Sequence, residues 1–137
     1  MKADTAWVVT RIDHYLEDLY LPASSPNSVA QALVKSTAIW WLKRLAEEDA
    51  ARLRALNGRK GVDYVVKPAD ATASETLDSA YVVIGVISCA QSHLTEDDVS
   101  VLGVFESLSQ ANDAVARAEN GPWGSFVVKK TRTCRGH

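Results

Sequence analysis

The sequence predicts an α+β fold in which two tandem strand–strand–helix–strand repeats form a pseudo-two-fold antiparallel sheet with two helices packed on it. Three observations carry this. The phrase NGRKGVDYVVK (57–67) recurs as NGPWGSFVVK (120–129). Each copy follows a segment of helical periodicity, and each helix follows an apolar stretch that ends at a serine. Further upstream, Ala80-Tyr81-Val82-Val83 repeats Ala6-Trp7-Val8-Val9.

The elements follow in order. A strand is predicted over 6–14, beginning Ala6-Trp7-Val8-Val9, and a second over 29–35. A rival reading starts a helix at Ser25-Pro26, since proline costs nothing at the first helical position. That would make 26–56 one helix of about 31 residues, well beyond the usual ~10–14, so the strand is preferred. The first helix is placed at 36–56, opened by Ser36 and closed by Asn57-Gly58. Its apolar stripe is Ala38, Trp41, Leu42, Leu45, Leu53 and Leu56. A third strand is predicted over 62–67.

Residues 68–79, PADATASETLDS, read as a linker between repeats. The strand at 80–90 is apolar on both alternating faces and is predicted to be central. A strand at 99–106 leads to the second helix, 107–119. Ser107 and Gln110 fit a capping box there, Ala111, Ala114, Val115 and Ala118 form the stripe, and Asn120-Gly121 stops it. Its small residues should let it approach the sheet closely, while Trp41 should hold the first helix further off. The last strand, 125–131, ends in Lys129-Lys130, a composition suited to a sheet edge. The organisation expected is thus a single domain over 1–137, with repeat 1 at 6–67, the linker at 68–79, repeat 2 at 80–131 and a basic tail at 132–137.

A chain of 137 residues, 47% apolar and 23% charged, suits one soluble domain with a real core. Its net charge of −2 creates no bulk field for nucleic acid or anionic membrane. No run of ~18 apolar residues suggests a transmembrane span, and the start lacks a signal-peptide pattern. Two cysteines, Cys89 and Cys134, are too few for a disulfide scaffold and lack metal-ligand spacing. A reduced, cytoplasmic setting is expected.

Candidate functional residues are few. Trp40, placed on the first helix beside Lys43, Arg44, Glu47, Ala51 and Arg54, puts a large aromatic on a polar face. Such a residue can anchor a partner, so Trp40 with Arg44 forms the candidate interface. His14, Tyr15, His93 and Glu96 are candidate liners of a cleft where the repeats meet. No metal or other cofactor is expected, because the histidines lack ligand spacing and read more simply as solvated loop residues. Cys89 reads as an inert strand residue and Cys134 as an exposed, oxidisable thiol in the tail. The basic tail 129–137, together with Arg59-Lys60, could touch phosphate, but the acidic total and the lack of interleaved aromatics argue against nucleic acid. Gly85 and Gly103 mark a bulge, or a close approach of backbone or ligand. No phosphate-cradling loop or nucleophile elbow is present.

The stretch VLGVFESLSQANDAVARA (101–118), with AWVVTRID near the start, resembles short uncharacterised intracellular proteins of filamentous fungi. The resemblance implies a eukaryotic intracellular protein and carries over no activity. The expected function is a non-catalytic binding module, binding a protein partner or a second copy of itself. The alternative is a small-molecule site, or a small enzyme, at the repeat junction.

Overall fold

The computed structural model describes residues 4–13, 33–57, 61–74, 76–87 and 95–134. The described elements are β1 (Asp4–Asp13), β2 (Val34–Trp40), α1 (Lys43–Leu56), β3 (Val62–Ala71), β4 (Ser79–Val86), a 3-10 turn (Glu96–Asp98), β5 (Val99–Phe105), α2 (Leu108–Ala118) and β6 (Ser125–Cys134). The six strands close into a barrel in the order β1-β2-β6-β4-β5-β3. This corrects the expected open antiparallel sheet. Four ladders are antiparallel, but β2 pairs β6 and β3 pairs β5 in parallel, and these two seams close the wall. With no free edge, β6 is not an edge strand: it pairs with both β4 and β2, and Arg132, Thr133 and Cys134 belong to it rather than to a tail.

The seams are short. Among the described residues only Ile39↔Thr133 and Trp40↔Cys134 are paired across β2 and β6, and only Ala71↔Val104 across β3 and β5. The antiparallel ladders are long by comparison, running from Asp4↔Ala71 to Asp13↔Val62 between β1 and β3. The recurring phrase occupies matching positions: Lys67 faces Val8 on β1, and Lys129 faces Val82 on β4. Register shifts also match. One falls between Val9 and Thr10, with Thr37 as the extra residue, and the other between Val83 and Ile84, with Leu102 extra. Such an insertion bends the strand and increases its twist, which helps a six-stranded sheet curl shut.

The barrel interior is solid. Val8, Ile12, Val34, Ile39, Val82, Ile84, Val86, Val99 and Val104 fill it with alanines between them, all essentially inaccessible. Strands from both sides of the 68–79 segment contribute, and burying each large aliphatic side chain is worth about 1.5–3 kcal/mol. Among the described residues Thr10, Ser36, Ser125 and Thr131 are buried hydroxyl-bearing residues of the strands, and Ser36 and Thr131 satisfy each other at 2.5 Å.

The main local correction is at β2. Residues 36–40 are strand, not the first turns of a helix, which overturns both the strand at 29–35 followed by a helix at 36 and the single helix over 26–56. Residues 26–32 lie outside the described residues. Ser36 is buried in the wall and caps nothing. Because α1 begins at Lys43, its buried face is Ala46, Asp49 and Ala50, with Leu53 packed beside them; Leu42 and Leu56 are 56% and 69% exposed. The small alanines bring α1 close onto β1, β2 and β3, the reverse of the expected stand-off by Trp41. Trp41 packs instead against the interior cluster. On the opposite side α2 covers β4, β5 and β6, seated through Ala111.

Candidate functional site

Both glycines singled out by the sequence are filled by the chain's own rings. A Cβ at Gly85 would lie 2.6 Å from Trp123, and one at Gly103 would lie 2.5 Å from Phe105. Glycine is needed at both places to admit an aromatic ring, and no groove opens above them.

Trp40 stands on β2, opposite Trp7 on β1 and Cys134 on β6. Its outward side lies against α1, where the indole Nε1 donates to Asp49 Oδ2 at 3.0 Å. Arg52 Nη2 donates to the other oxygen of the same carboxylate at 2.7 Å. Asp49 is 5% exposed, so a buried charge holds the ring and is in turn held by a guanidinium. The half-buried Trp40 then lines a surface depression of about 380 Å³ with Leu45, Glu48, Asp49, Arg52 and Arg132. Trp40 is therefore a partly packed residue with one open side, on a strand rather than a helix. Arg44 lies nearby on α1, exposed and paired with Glu48 at 3.2 Å. Arg132 has no ion-pair partner among the described residues.

Cys134 borders this region. It is half-buried against the cluster beneath α1, not exposed as expected. Burial pushes its thiol above the ordinary range, Asp49 adds to the rise, and Arg132 and Arg52 oppose it. That suits an unreactive side chain.

Of the four residues assigned to a junction cleft, His14, Tyr15 and His93 lie outside the described residues, as does Cys89. Glu96 is exposed in the 3-10 turn beside the β3–β5 seam. It lines a depression of about 330 Å³ with Glu47, Arg54, Asp63, Val65 and Val66. Arg54 is fully engaged there, with Asp63 at 3.1 Å and the Tyr64 carbonyl at 2.9 and 2.5 Å. Among the described residues no group of three or more His, Cys, Asp or Glu could hold a metal ion, and no described helix is long and apolar enough to cross a membrane.

Sequence reasoning missed Asp49, Arg52 and Arg132. The spacing of Asp49 and Arg52 along α1 was readable, but their link to Trp40 required knowing that Trp40 precedes the helix. No family model matches the chain, and no curated protein or solved structure matches it either.

Proposed function

We propose that the protein is a non-catalytic binding module that recognises a protein segment carrying a carboxylate beside an apolar side chain. The observation that supports this is the open side of Trp40, held in one orientation by Asp49 and Arg52 and flanked by Leu45 and Arg132. Tryptophan and arginine are enriched among the residues that dominate binding energy at protein interfaces, the first presenting a large rigid ring and the second a planar fork that matches a carboxylate. The other cations of this face, Arg44 and Arg52, already have carboxylate partners, and among the described residues Arg132 is the one that has none.

Leu42 adds to the argument. It occupies the N-cap of α1, makes no side-chain cap bond and is more than half exposed. Serine or aspartate would stabilise the helix there, so a local misfit sits beside the proposed surface, as functional sites often permit. Self-association through α1 is less favoured. Its charges run cation, anion, cation (Lys43 and Arg44, Glu47 and Glu48, Arg52 and Arg54), so a two-fold antiparallel pairing would set like against like. A reducing, cytoplasmic setting accompanies this reading, since Cys134 is a free thiol.

The test is selection from a displayed random-peptide library, with sedimentation velocity alongside. Peptides pairing Asp or Glu with a large apolar residue should be enriched, and Arg132→Glu, which leaves the Asp49 bonds intact, should abolish their binding. Absence of enrichment, or enrichment that Arg132→Glu leaves unchanged, would refute the reading. A dimer that Arg132→Glu dissociates would replace it with self-association.

A further inference from the structure

The register shifts align the two halves residue by residue. With Thr37 set on Leu102, the extra residue of each shift, Trp40 falls on Phe105, Leu42 on Ser107, Ala46 on Ala111 and Asp49 on Ala114. With Lys67 set on Lys129, Arg132 falls on Asp70. Beneath the helices the halves agree, since Ala46 and Ala111 are both fully buried. Around Trp40 they do not. Where the first half has the exposed Leu42 at its helix N-cap, the second has the capping Ser107. Where Asp49 holds the indole, the second half has alanine, and in place of Trp40 it has Phe105, whose ring is folded onto Gly103 of its own strand. These departures from a shared plan gather around one depression, lined by Trp40, Leu45, Glu48, Asp49, Arg52 and Arg132.

The shape and charge of that surface select its occupant. Leu45, Glu48, Asp49 and Arg52 follow one another at helical steps, so one wall is a row of α1 two turns long, about 10 Å. Trp40 and Arg132 bound the depression from the strands. Beside this row Arg44, Glu48 and Arg52, each more than half exposed, alternate cation, anion and cation at four-residue steps. Every strand of the barrel has a neighbour on both sides, so no sheet edge offers main-chain hydrogen bonds to an extended segment. A helix satisfies its own backbone and needs none.

Given the binding role proposed above, we infer that the partner segment is an amphipathic helix carrying acid, base and acid at four-residue steps, laid along α1 with a large apolar side chain on Trp40 and Leu45. Its charges oppose those of Arg44, Glu48 and Arg52 in either direction, because the order reads the same both ways. Arg52 and Arg132 line the same depression, so one acid serves both. Exposed charge pairs add little affinity singly and instead fix partner choice and orientation. The affinity comes from the apolar anchor.

Proline scanning of peptides enriched from the displayed library provides the test, read by fluorescence anisotropy with the full chain. Proline at the centre of an enriched peptide should cost about a hundredfold in affinity, since it breaks a helix, and circular dichroism should show the parent peptide gaining helix when bound. Glu48→Lys should weaken peptides with a central Lys or Arg about tenfold, and changing that central residue to Glu should recover the loss. Among the described residues Glu48 makes only an exposed pair with Arg44, so the fold should stand. Enriched peptides that tolerate proline would keep the binding role and overturn the helix. An affinity unchanged by Glu48→Lys, or a loss the swapped peptide does not recover, would overturn the charge pattern. A dimer that Glu48→Lys dissociates would assign the face to a second copy instead. A library that yields no binder removes the binding role itself, and the helix with it.

Discussion

At the scale of single residues, the clearest expectations come from Gly85 and Cys134. Alanine at Gly85 places its methyl inside the Trp123 ring, so Trp123 or the β4 backbone must move. Overpacking of this kind costs about 1–3 kcal/mol, and Gly85→Ala should lower the urea midpoint correspondingly. An unchanged midpoint would mean that the ring swings aside freely. Cys134 should alkylate slowly. Its raised thiol value leaves less thiolate at pH 8 than an ordinary thiol has, and reactivity should keep climbing as pH rises beyond the usual thiol value. In a Cys89→Ser background, iodoacetamide should modify the folded protein well below the rate seen in urea; equal rates would remove the argument. The glycines were visible in the sequence as anomalies, but what filled them was not. Trp123 is far from Gly85 in the chain and meets it only because β6 folds back beside β4.

Helix termini set the expectations for elements. α2 begins with a reciprocal arrangement: Ser107 Oγ accepts from the Gln110 N–H at 3.2 Å, and Gln110 Oε1 accepts from the Glu106 N–H at 3.1 Å. The expected capping box is therefore present with the amide reaching one residue further back than Ser107. Removing the hydroxyl by Ser107→Ala should destabilise the protein by about 0.5–2 kcal/mol in chemical denaturation. α1 is the opposite case. Its N-cap is Leu42, and Lys43 and Arg44 put positive charge where the helix dipole is already positive. Ion pairs to Glu47 at 3.9 Å and Glu48 at 3.2 Å offset this only slightly, being exposed. Leu42→Ser should raise stability by roughly 1 kcal/mol, and a fall would show that the leucine packs against something essential. β2 was misread for a related reason. Thr37, Ile39 and Trp40 favour a strand, but the inserted Thr37 breaks the two-residue alternation, so Ser36 and Ile39 face inward across an odd gap. With the period lost, Ser36 looked like a cap.

For the whole molecule, closure rather than element content was the unreadable part. The strands of the recurring phrase and the two apolar strands opening each half could be placed from local pattern. Pairing of β2 with β6 and β3 with β5 could not, because three register pairs between distant segments leave no periodic trace. The same sparseness predicts how the barrel loosens. β1 and β4 each lie between two antiparallel neighbours, whereas the other four strands each border a seam. In hydrogen-exchange mass spectrometry, peptides covering 34–40 and 99–105 should gain deuterium before those covering 4–13 and 79–86. Simultaneous exchange of all six strands would indicate that the seams are as strong as the ladders.

The ring lying against Gly85 also has a magnetic consequence. Circulating π electrons of Trp123 must displace the α-proton resonances of that glycine from their usual range, so one well-resolved signal reports whether β4 and the segment entering β6 are in register. Titration of any ligand or denaturant could be followed on that signal without a label.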